Sequence, residues 1–125
     1  PLTGLANRRR LLEVLTEHLA GRRGRDREFA VLFLDLDGFK EVNAAHGHSV
    51  GDRVLVEVSR RLIKVARETD VVARAAGDEF VVVLSNVATE AEAEAAARRH
   101  LAALVDPVRL GAIVHVIENI AYQRA

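Results

Sequence analysis

The stretch that decides the fold is the segment Arg74-Ala75-Ala76-Gly77-Asp78-Glu79-Phe80, which lies between two apolar runs. The upstream run is Asp70-Val71-Val72-Ala73, and the downstream run is Phe80-Val81-Val82-Val83-Leu84. Two β-branched runs joined by a Gly-Asp pair predict a β-hairpin with a tight turn. Neighbouring carboxylates at a turn repel each other unless a cation lies between them, so the acidic tip indicates a function beyond stability.

A second acidic pair follows a buried-strand pattern earlier in the chain. The run Phe29-Ala30-Val31-Leu32-Phe33-Leu34 is continuously apolar, which is typical of a central strand covered on both faces. Asp35-Leu36-Asp37 ends this run, so two strand ends of the predicted sheet carry carboxylates. Hard oxygen ligands at such a place suit Mg²⁺ that carries a nucleotide phosphate.

The spacing of these acids leaves two interpretations open. If the two strands are neighbours, Asp35 and Asp78 converge, and the backbone carbonyl of Leu36 can add a further ligand to the metal. Alternatively, Asp37 caps the following helix and Asp78 merely serves the turn, which are ordinary roles for aspartate. Spacing alone favours neither interpretation.

The composition indicates one globular domain. The 125 residues are 50% hydrophobic but only 4% aromatic, so Val, Leu, Ile and Ala must build the core. The 18 basic and 18 acidic residues give a formal net charge of +0, which argues against nucleic-acid binding by bulk charge. The absence of cysteine excludes thiolate catalysis, disulfides and Cys-ligated zinc. No apolar run has membrane-spanning length, and no signal peptide is visible.

Apolar periodicity and turn residues divide the chain into helices and strands. The segment Thr89-Glu90-Ala91-Glu92 matches a capping box, which predicts the start of an alanine-rich helix that Pro107 stops. The predicted order is helix, strand, helix, helix, hairpin, helix and a last strand or hairpin, over residues 7–20, 29–34, 38–45, 49–66, 70–84, 89–105 and 108–117. This order predicts an α/β or α+β fold in which helices pack on a central mixed sheet. A solvated loop is favoured over a phosphate patch for residues 21–27.

Polar side chains on the two helices after Asp37 form a candidate base-recognition set. Lys40 and Asn43 lie on the short helix, and Asp52 lies near the start of the next one. An amide and a carboxylate that point into one cleft can bind the edge of a guanine, because together they accept and donate hydrogen bonds. From spacing alone, however, surface positions and first-turn acidity explain these residues better.

Other charged and histidine positions are predicted to be structural when spacing alone is considered. Arg67 and Asp70 stand where a helix gives way to a strand, which favours a local salt bridge over a grip on guanine and phosphate. His46 and His48 flank Gly47 and predict a turn, since no third metal ligand has suitable spacing. The remaining histidines are expected to be incidental: His18, His100 and His115.

Four segments together resemble the GGDEF domain, the catalytic module of diguanylate cyclases. They occur in family order and at family spacing, and the resemblance extends from residue 1 to about residue 105. The matching segments are residues 1–9, 34–43, 47–52 and 73–80. The resemblance implies a palm-like fold shared with nucleotidyl cyclases and the condensation of two GTP into cyclic di-GMP, with release of pyrophosphate.

The resemblance also implies the roles of the catalytic residues. Asp35 and Asp78 are expected to bind Mg²⁺ (or Mn²⁺), helped by the Leu36 carbonyl. Glu79 is expected to support the metal site or the attacking hydroxyl. One chain holds one GTP in this family, so the active site is expected to form between two antiparallel domains.

The family's binding sites correspond to further positions. By this resemblance Asn43 and Asp52 recognise guanine, and Lys40 lies near the phosphates. Gly77 lets the backbone approach the nucleotide, where a side chain would obstruct it. The family's product-inhibition site, which binds cyclic di-GMP, corresponds to Arg67, Asp70 and Arg98.

The sequence departs from the family pattern in two places. The first glycine of the GGDEF signature is Ala76, whose methyl group is the smallest intrusion, so we expect tolerance, or else reduced activity. Residues 116–122 match the family's next strand poorly, and the chain then stops at Ala125. We therefore expect a single domain over residues 1–125 that lacks the usual C-terminal helix and strands and exposes an apolar edge.

These features predict a diguanylate cyclase that acts as a homodimer and is inhibited by its product. The alternative is a catalytically inactive GGDEF domain that serves as a receptor for GTP or cyclic di-GMP. A third hypothesis is a purely structural dimerisation module. We expect no nucleic-acid partner and no direct membrane contact.

The setting of the domain is also an expectation. The chain begins at Pro1 without Met, so we expect a piece of a longer protein with a sensory or dimerising region before this domain. The domain is expected in the cytoplasm, where GTP is. The parent is expected to be either cytoplasmic or anchored in a membrane with this part facing the cytoplasm.

Overall fold

The computed structural model describes residues 4–20, 28–36, 38–105, 108–110 and 113–115. The elements are α1 (Arg8–Ala20), β1 (Glu28–Asp35), α2 (Phe39–His46), α3 (His48–Val65), β2 (Val71–Ala76), β3 (Glu79–Val87), α4 (Glu90–Ala103), β4 (Val108–Leu110) and β5 (Ile113–His115). They follow the predicted order. Within these residues, no helix has the length and apolarity needed to cross a membrane. Several expectations lie outside the described residues, among them the loop over 21–27, the helix cap by Asp37, the helix stop at Pro107 and the departure over 116–122.

The central strand of the main sheet is β3. The sheet is antiparallel, with the order β1-β3-β2, and a separate antiparallel pair joins β4 to β5. β1 pairs with β3 in a register that sets Asp35 opposite Glu79, and β2 pairs with β3 through the predicted hairpin. The sequence predicted a mixed sheet. Among the described residues, the parallel pairing consists of the isolated bridge between Ala6 and Ala73.

The sheet separates two apolar clusters. Successive side chains of a strand point to opposite faces, so each strand contributes to both clusters. One cluster joins the sheet to α2, α3 and α4, and it includes Leu32, Leu34, Phe39, Val54, Val58, Phe80, Val82 and Ala97. The other joins the sheet to α1 and includes Leu11, Val14, Val31, Val81 and Val83. Packing on both faces holds the strand ends, and the acids that they carry, in fixed positions.

The helix boundaries follow the predicted signals. Gly47 has φ +87° and separates α2 from α3, as predicted for the turn between His46 and His48. Thr89 Oγ1 accepts a hydrogen bond from the Glu92 N–H at 3.2 Å, which confirms the predicted N-cap. The Glu92 carboxylate completes the cap differently from the standard box, because it accepts the N–H of Ala88 at 2.9 Å.

The exposed side of α3 carries an ion-pair cluster around Glu57. Arg60 Nε donates to Glu57 Oε1 at 2.8 Å, and Arg61 Nε donates to Glu57 Oε2 at 2.7 Å. These bonds, that from Arg60 above all, lower the pKa of Glu57 from 4.5 to about 2. Since the folded pKa lies below the unfolded one, the cluster stabilises the fold fully above pH 4.5 and is lost as the pH falls towards 2.

We therefore expect Glu57→Gln to remove this part of the acid sensitivity. The stability of the parent chain should fall more steeply than that of Glu57→Gln as the pH decreases from about 5 to about 2. Urea unfolding at a series of pH values measures the difference. Glu68→Gln is the control, since Glu68 is an exposed acid without an ion pair among the described residues. Parallel stability curves for the parent and Glu57→Gln would contradict the assignment.

Candidate active site

The acidic tip is a two-residue turn between β2 and β3. Gly77 has φ +30°, in the left-handed region that favours glycine, and a Cβ there would meet no protein atom within 4 Å. Arg74 Nε donates to the Gly77 carbonyl at 2.9 Å, which holds the turn to the strand before it. Ala76 pairs with Glu79 and is exposed. The side of Gly77 that a Cβ would occupy is therefore open to a ligand.

The end of β1 lies beside this turn and brings Asp35 next to the acidic tip. The Leu36 N–H donates to the Asp78 carbonyl at 3.1 Å, and Asp35 lies opposite Glu79 in the β1-β3 register. Residues directly opposite in antiparallel strands project from the same face, so Asp35 and Glu79 share one face of the sheet. Both are exposed, whereas Asp78 is half-buried and the Leu36 side chain is buried. The strands are neighbours, as the metal-site interpretation of the spacing requires.

The acids of this site form no direct ion pair with the cations of the described residues, although Arg8 lines the same 510 Å³ cavity as Asp35 and Glu79. Between described residues, no ion pair involves Asp35, Asp78 or Glu79. A divalent cation fits this donor set, because carboxylate and carbonyl oxygens are hard ligands and Mg²⁺ takes only a few of them. The described residues contain no group of three or more His, Asp or Glu side chains that could hold a metal. Water and phosphate oxygens would therefore complete the coordination of an ion here.

Lys40, the residue that was predicted to lie near the phosphates, is at the start of α2. Phe39 and Val42 are buried and fix α2 against the core, which leaves Lys40 exposed. Gly38 is the N-cap residue, with φ +80°, and it provides no side-chain cap. The first N–H groups of a helix attract anions, so Lys40 and this helix start together suit a phosphate.

The predicted base-recognition residues lie on α2 and α3, which pack on each other. Asn43 is half-buried on α2, and its Oδ1 is buried without a hydrogen-bond partner within the described part of the chain. Leaving a buried polar atom unpaired costs about 1–3 kcal/mol, so such atoms are uncommon. Asp52 is exposed early in α3. A ligand edge that offers N–H groups between the two helices would satisfy Asn43.

Gly51 determines where the Asn43 amide can lie, and no role for it was predicted from the sequence. A Cβ on Gly51 would collide with Asn43 Oδ1 and would lie 3.3 Å from Phe39 Cζ. The glycine therefore makes room for the amide where α2 meets α3. The only signal in the sequence was the position of this glycine inside an amphipathic helix. Glycine there destabilises a helix by about 1 kcal/mol relative to alanine, so its presence indicates a specific role.

We expect Gly51→Ala to displace the Asn43 side chain and to destabilise the fold, although alanine is the better helix former by about 1 kcal/mol. In an Asn43→Ala background the obstacle is absent, so the same substitution should be neutral or stabilising. Urea unfolding of the four proteins in this double-mutant cycle measures the coupling. An equal effect of Gly51→Ala in both backgrounds would show that the glycine does not make room for Asn43.

The Arg67–Asp70 pair lies in the connection between α3 and β2. Asp70 Oδ2 accepts the Arg67 backbone N–H at 2.9 Å, and the Asp70 N–H donates to the Arg67 carbonyl at 2.9 Å. Arg67 Nη2 lies 3.6 Å from Asp70 Oδ1 and donates to the Ser85 carbonyl at 3.2 Å. The local salt bridge that the spacing favoured is therefore present.

A cleft of 410 Å³ opens beside this pair. Its walls include residues 4–6, Ile63 and Val72, together with Arg67 and Asp70 themselves. Arg98 is exposed on α4, and no hydrogen bond or ion pair between described residues joins it to Arg67 or Asp70. The structure thus brings together two of the three residues of the expected inhibitory site.

Two histidines that were expected to be incidental make internal contacts. His18 Nε2 lies 2.8 Å from Ser85 Oγ, and its Nδ1 lies 2.9 Å from the Val14 carbonyl. His18 therefore ties α1 to β3. His100 is fully buried on α4. The side chain of His115 lies outside the described part of the structure.

Comparison with known proteins identifies the family. Residues 1–119 match the family described as "Diguanylate cyclase, GGDEF domain". Over 87% of its length, the chain is 45% identical to cyclic di-GMP phosphodiesterase NbdA and 41% identical to diguanylate cyclase TpbB, both from Pseudomonas aeruginosa. The chain spans only 14% of NbdA and 25% of TpbB.

Solved structures share the fold. The GGDEF domain of TpbB (YfiN) matches with a TM-score of 0.85 at 39% identity, over 92% of this chain and 67% of that one. Diguanylate cyclase SiaD from Pseudomonas aeruginosa, in complex with its activator SiaC, matches with a TM-score of 0.83 at 34% identity, over 99% of this chain and 46% of that one. The fold and the acidic hairpin define an α+β domain of the nucleotidyl-cyclase type. The chain belongs to the GGDEF family, as the four sequence segments predicted.

Proposed function

We propose that this domain condenses two molecules of GTP into cyclic di-GMP and releases two pyrophosphates. The proposal is carried by the convergence of Asp35, Asp78 and Glu79 at one end of the sheet. Each 3′-hydroxyl would lose its proton and attack the α-phosphorus of the other GTP, so that two phosphodiester bonds replace two phosphoanhydride bonds. Relatives named as diguanylate cyclases, TpbB among them, support the proposal.

In this proposal, Asp35, Asp78 and the Leu36 carbonyl hold a Mg²⁺ or Mn²⁺ ion. The bound ion supplies charge neutralisation at the triphosphate and acidifies the attacking hydroxyl. Strand pairing fixes these oxygens before the substrate arrives, so little reorganisation is needed during the reaction. Glu79, opposite Asp35, is placed to support the metal site or to accept a hydrogen bond from the hydroxyl.

Asn43 and Asp52 would recognise the guanine base. A carboxylate accepts hydrogen bonds from adjacent N–H groups of guanine, and an amide both accepts and donates. The unpaired, buried Oδ1 of Asn43 supports this role because it requires a donor from outside the described residues. Lys40 and the start of α2 would bind phosphate, and the open side of Gly77 would let the backbone approach the nucleotide.

A two-copy active site follows from the proposed reaction. One domain would hold one GTP, and a symmetric pair of domains would present each hydroxyl to the other phosphorus. The rate would then depend on how often two copies meet. We propose that a sensory or dimerising region of a longer parent controls this encounter, with the domain in the cytoplasm, where GTP is. SiaD, which was solved with an activator, is a related example of a cyclase with a protein partner.

We propose product inhibition at the Arg67–Asp70 corner. Cyclic di-GMP offers two phosphate anions and two guanine edges, which suit a guanidinium and a carboxylate. The Asp70 side chain is 0% exposed, so it would have to be uncovered before it met a guanine edge. The half-exposed Arg67 side chain and the adjacent cleft of 410 Å³ support a site for such a ligand. Arg98 on α4 would contribute a further cation.

A second candidate function is that of a catalytically inactive receptor for GTP or cyclic di-GMP. Ala76, in place of the first signature glycine, favours it. NbdA, 45% identical over the matched region, is named as a phosphodiesterase and not as a cyclase. The exposure of Ala76 favours the cyclase, because the methyl group disturbs no packing within the described residues.

The cyclase proposal is tested by product formation from GTP and Mg²⁺, with this chain fused to a strong dimerisation domain. We expect Asp78→Ala to reduce the rate at least 100-fold or so, because it removes an electrostatic contact to the reacting groups. Glu13→Ala changes an exposed acid on α1 and is the matched control. Equal rates for the parent and Asp78→Ala would contradict the proposed site. A parent that binds GTP but forms no product would favour the receptor.

The inhibitory site is tested with Arg67→Ala in the same assay. We expect the cyclic di-GMP concentration for half-inhibition to rise at least about tenfold, since hydrogen bonds between charged partners contribute about 1.5–3 kcal/mol. Each inhibition curve is normalised to the variant's own rate without added product. Arg9→Ala, an exposed arginine on α1, is the control. Half-inhibition at the same concentration for the parent and Arg67→Ala would place inhibition elsewhere.

A further inference from the structure

A cavity of 510 Å³ lies between α1 and the face of the sheet that carries Asp35 and Glu79. Its charged lining residues are Arg8, the first residue of α1, together with the last residue of β1 and the first of β3. The apolar lining residues, such as Leu15 and Phe33, lie further along the same helix and strands. The cavity therefore has a charged end, which adjoins the candidate active site, and an apolar end.

The start of α1 is fixed to the sheet, so the position of Arg8 is determined by the fold. Ala6 is bonded to β2 on both sides, because its N–H donates to the Val72 carbonyl at 3.3 Å and its carbonyl accepts the Arg74 N–H at 3.0 Å. Asn7 then caps the helix through its Oδ1. Arg8 follows directly and is held at the charged end of the cavity.

The charge of Arg8 has no partner among the described residues. Arg8 is exposed and forms no hydrogen bond or ion pair there, and Asp35 and Glu79 form no ion pair either. A cation in the first turn of a helix is disfavoured by the helix dipole. Arg10 is compensated by Glu13, at 3.1 Å, whereas Arg8 has no such acid. A cation and two carboxylates that line one cavity without pairing leave room for a ligand that contacts both charges.

A nucleotide bound through a divalent cation has the chemistry that this charged end requires. Its phosphate oxygens accept charge-assisted hydrogen bonds from a guanidinium and reach the carboxylates through the metal ion. In the proposed function, the base of the chain's own nucleotide lies between α2 and α3, which pack on the other face of the sheet from α1. A phosphate that reaches Arg8 on the α1 face would therefore belong to the second nucleotide, which the other copy brings.

We propose that Arg8 binds the α-phosphate of the nucleotide held by the second copy, so that each domain completes the reaction centre of the other. The inference rests on the proposed function. The bond from the 3′-oxygen to phosphorus forms and the bond to pyrophosphate breaks, while the guanidinium neutralises the charge on the α-phosphate oxygens. The hydroxyl proton passes to solvent. Arg8 transfers no proton, because a guanidinium stays protonated.

Product formation from GTP and Mg²⁺, with the chain fused to a strong dimerisation domain, tests the inference. We expect Arg8→Ala to lower kcat at least about 100-fold with little change in KM, because Arg8 does not touch the nucleotide of its own chain. Arg9→Ala is the matched control, since Arg9 is the adjacent exposed arginine and does not line the cavity. Urea unfolding should give the same midpoint for the parent and both variants.

Pairs of unlike chains test which nucleotide Arg8 serves, with a dimerisation domain that joins only unlike partners and with saturating GTP. Asp78→Ala paired with the parent has one intact metal site, so it should form one phosphodiester bond and release the linear dinucleotide. Asp78→Ala paired with Arg8→Ala should release as much, because the arginine that serves the intact metal site is on the Asp78→Ala chain.

Three results would contradict the inference. Equal kcat values for Arg8→Ala and Arg9→Ala, or a lower unfolding midpoint for Arg8→Ala alone, would assign Arg8 no role or a structural one and leave the cyclase standing. Less linear dinucleotide from the second pair than from the first would show that Arg8 serves the nucleotide of its own chain. Absence of product from the parent would overturn the proposed function itself.

Discussion

The pairing of β1 with β3 is the interaction on which the rest of the structure depends. β3 is paired along both edges and covered on both faces, so its residues from Phe80 to Ser85 are all buried. The hydrogen bond from Leu36 to the Asp78 carbonyl continues this pairing beyond the end of β1 and into the hairpin turn. The acids at the strand ends repel each other, but this repulsion is weak where the carboxylates face solvent. The burial of apolar side chains along the strands offsets it. The sheet can therefore hold together charges that repel each other.

This arrangement divides the candidate active site between the two sides of the sheet. Asp35 shares its strand face with Val31, which packs towards α1, whereas Leu32 and Leu34 pack towards the other three helices. Asn43 belongs to that second side. In the proposed binding mode, a nucleotide would therefore cross the end of the sheet, with its phosphates at the strand ends and its base between α2 and α3. The hairpin turn, open beside Gly77, is the part of the backbone that such a ligand would pass.

The sequence was sufficient to predict those structural features whose signal lies within one short segment of the chain. The hairpin, the N-cap at Thr89 and the turn at Gly47 depend on residues close together in the chain, and all were predicted. The role of Gly51 was not predicted because it arises from a contact between α2 and α3, which no local pattern encodes. The burial of His100 could not be predicted because α4 is rich in alanine, and a helix of small residues gives little indication of which face is buried. The roles of the acids stay predictions that rest on family resemblance, although the sheet places the acids side by side.

The carboxylates of the proposed active site and of the proposed inhibitory site differ in their exposure to solvent, and this difference decides what they can bind. Asp35 and Glu79 are exposed and lack ion pairs among the described residues, so they can recruit a cation from solution. The Asp70 side chain is buried, and the half-exposed guanidinium of Arg67 lies 3.6 Å from its Oδ1 atom, so its charge already has a partner. The sites lie at opposite ends of β3, about 20 Å apart by the rise of an extended strand. A strand buried this fully deforms little. In the proposed inhibition, product bound at Arg67 would therefore leave the acids in place and would have to act through the approach of the second domain.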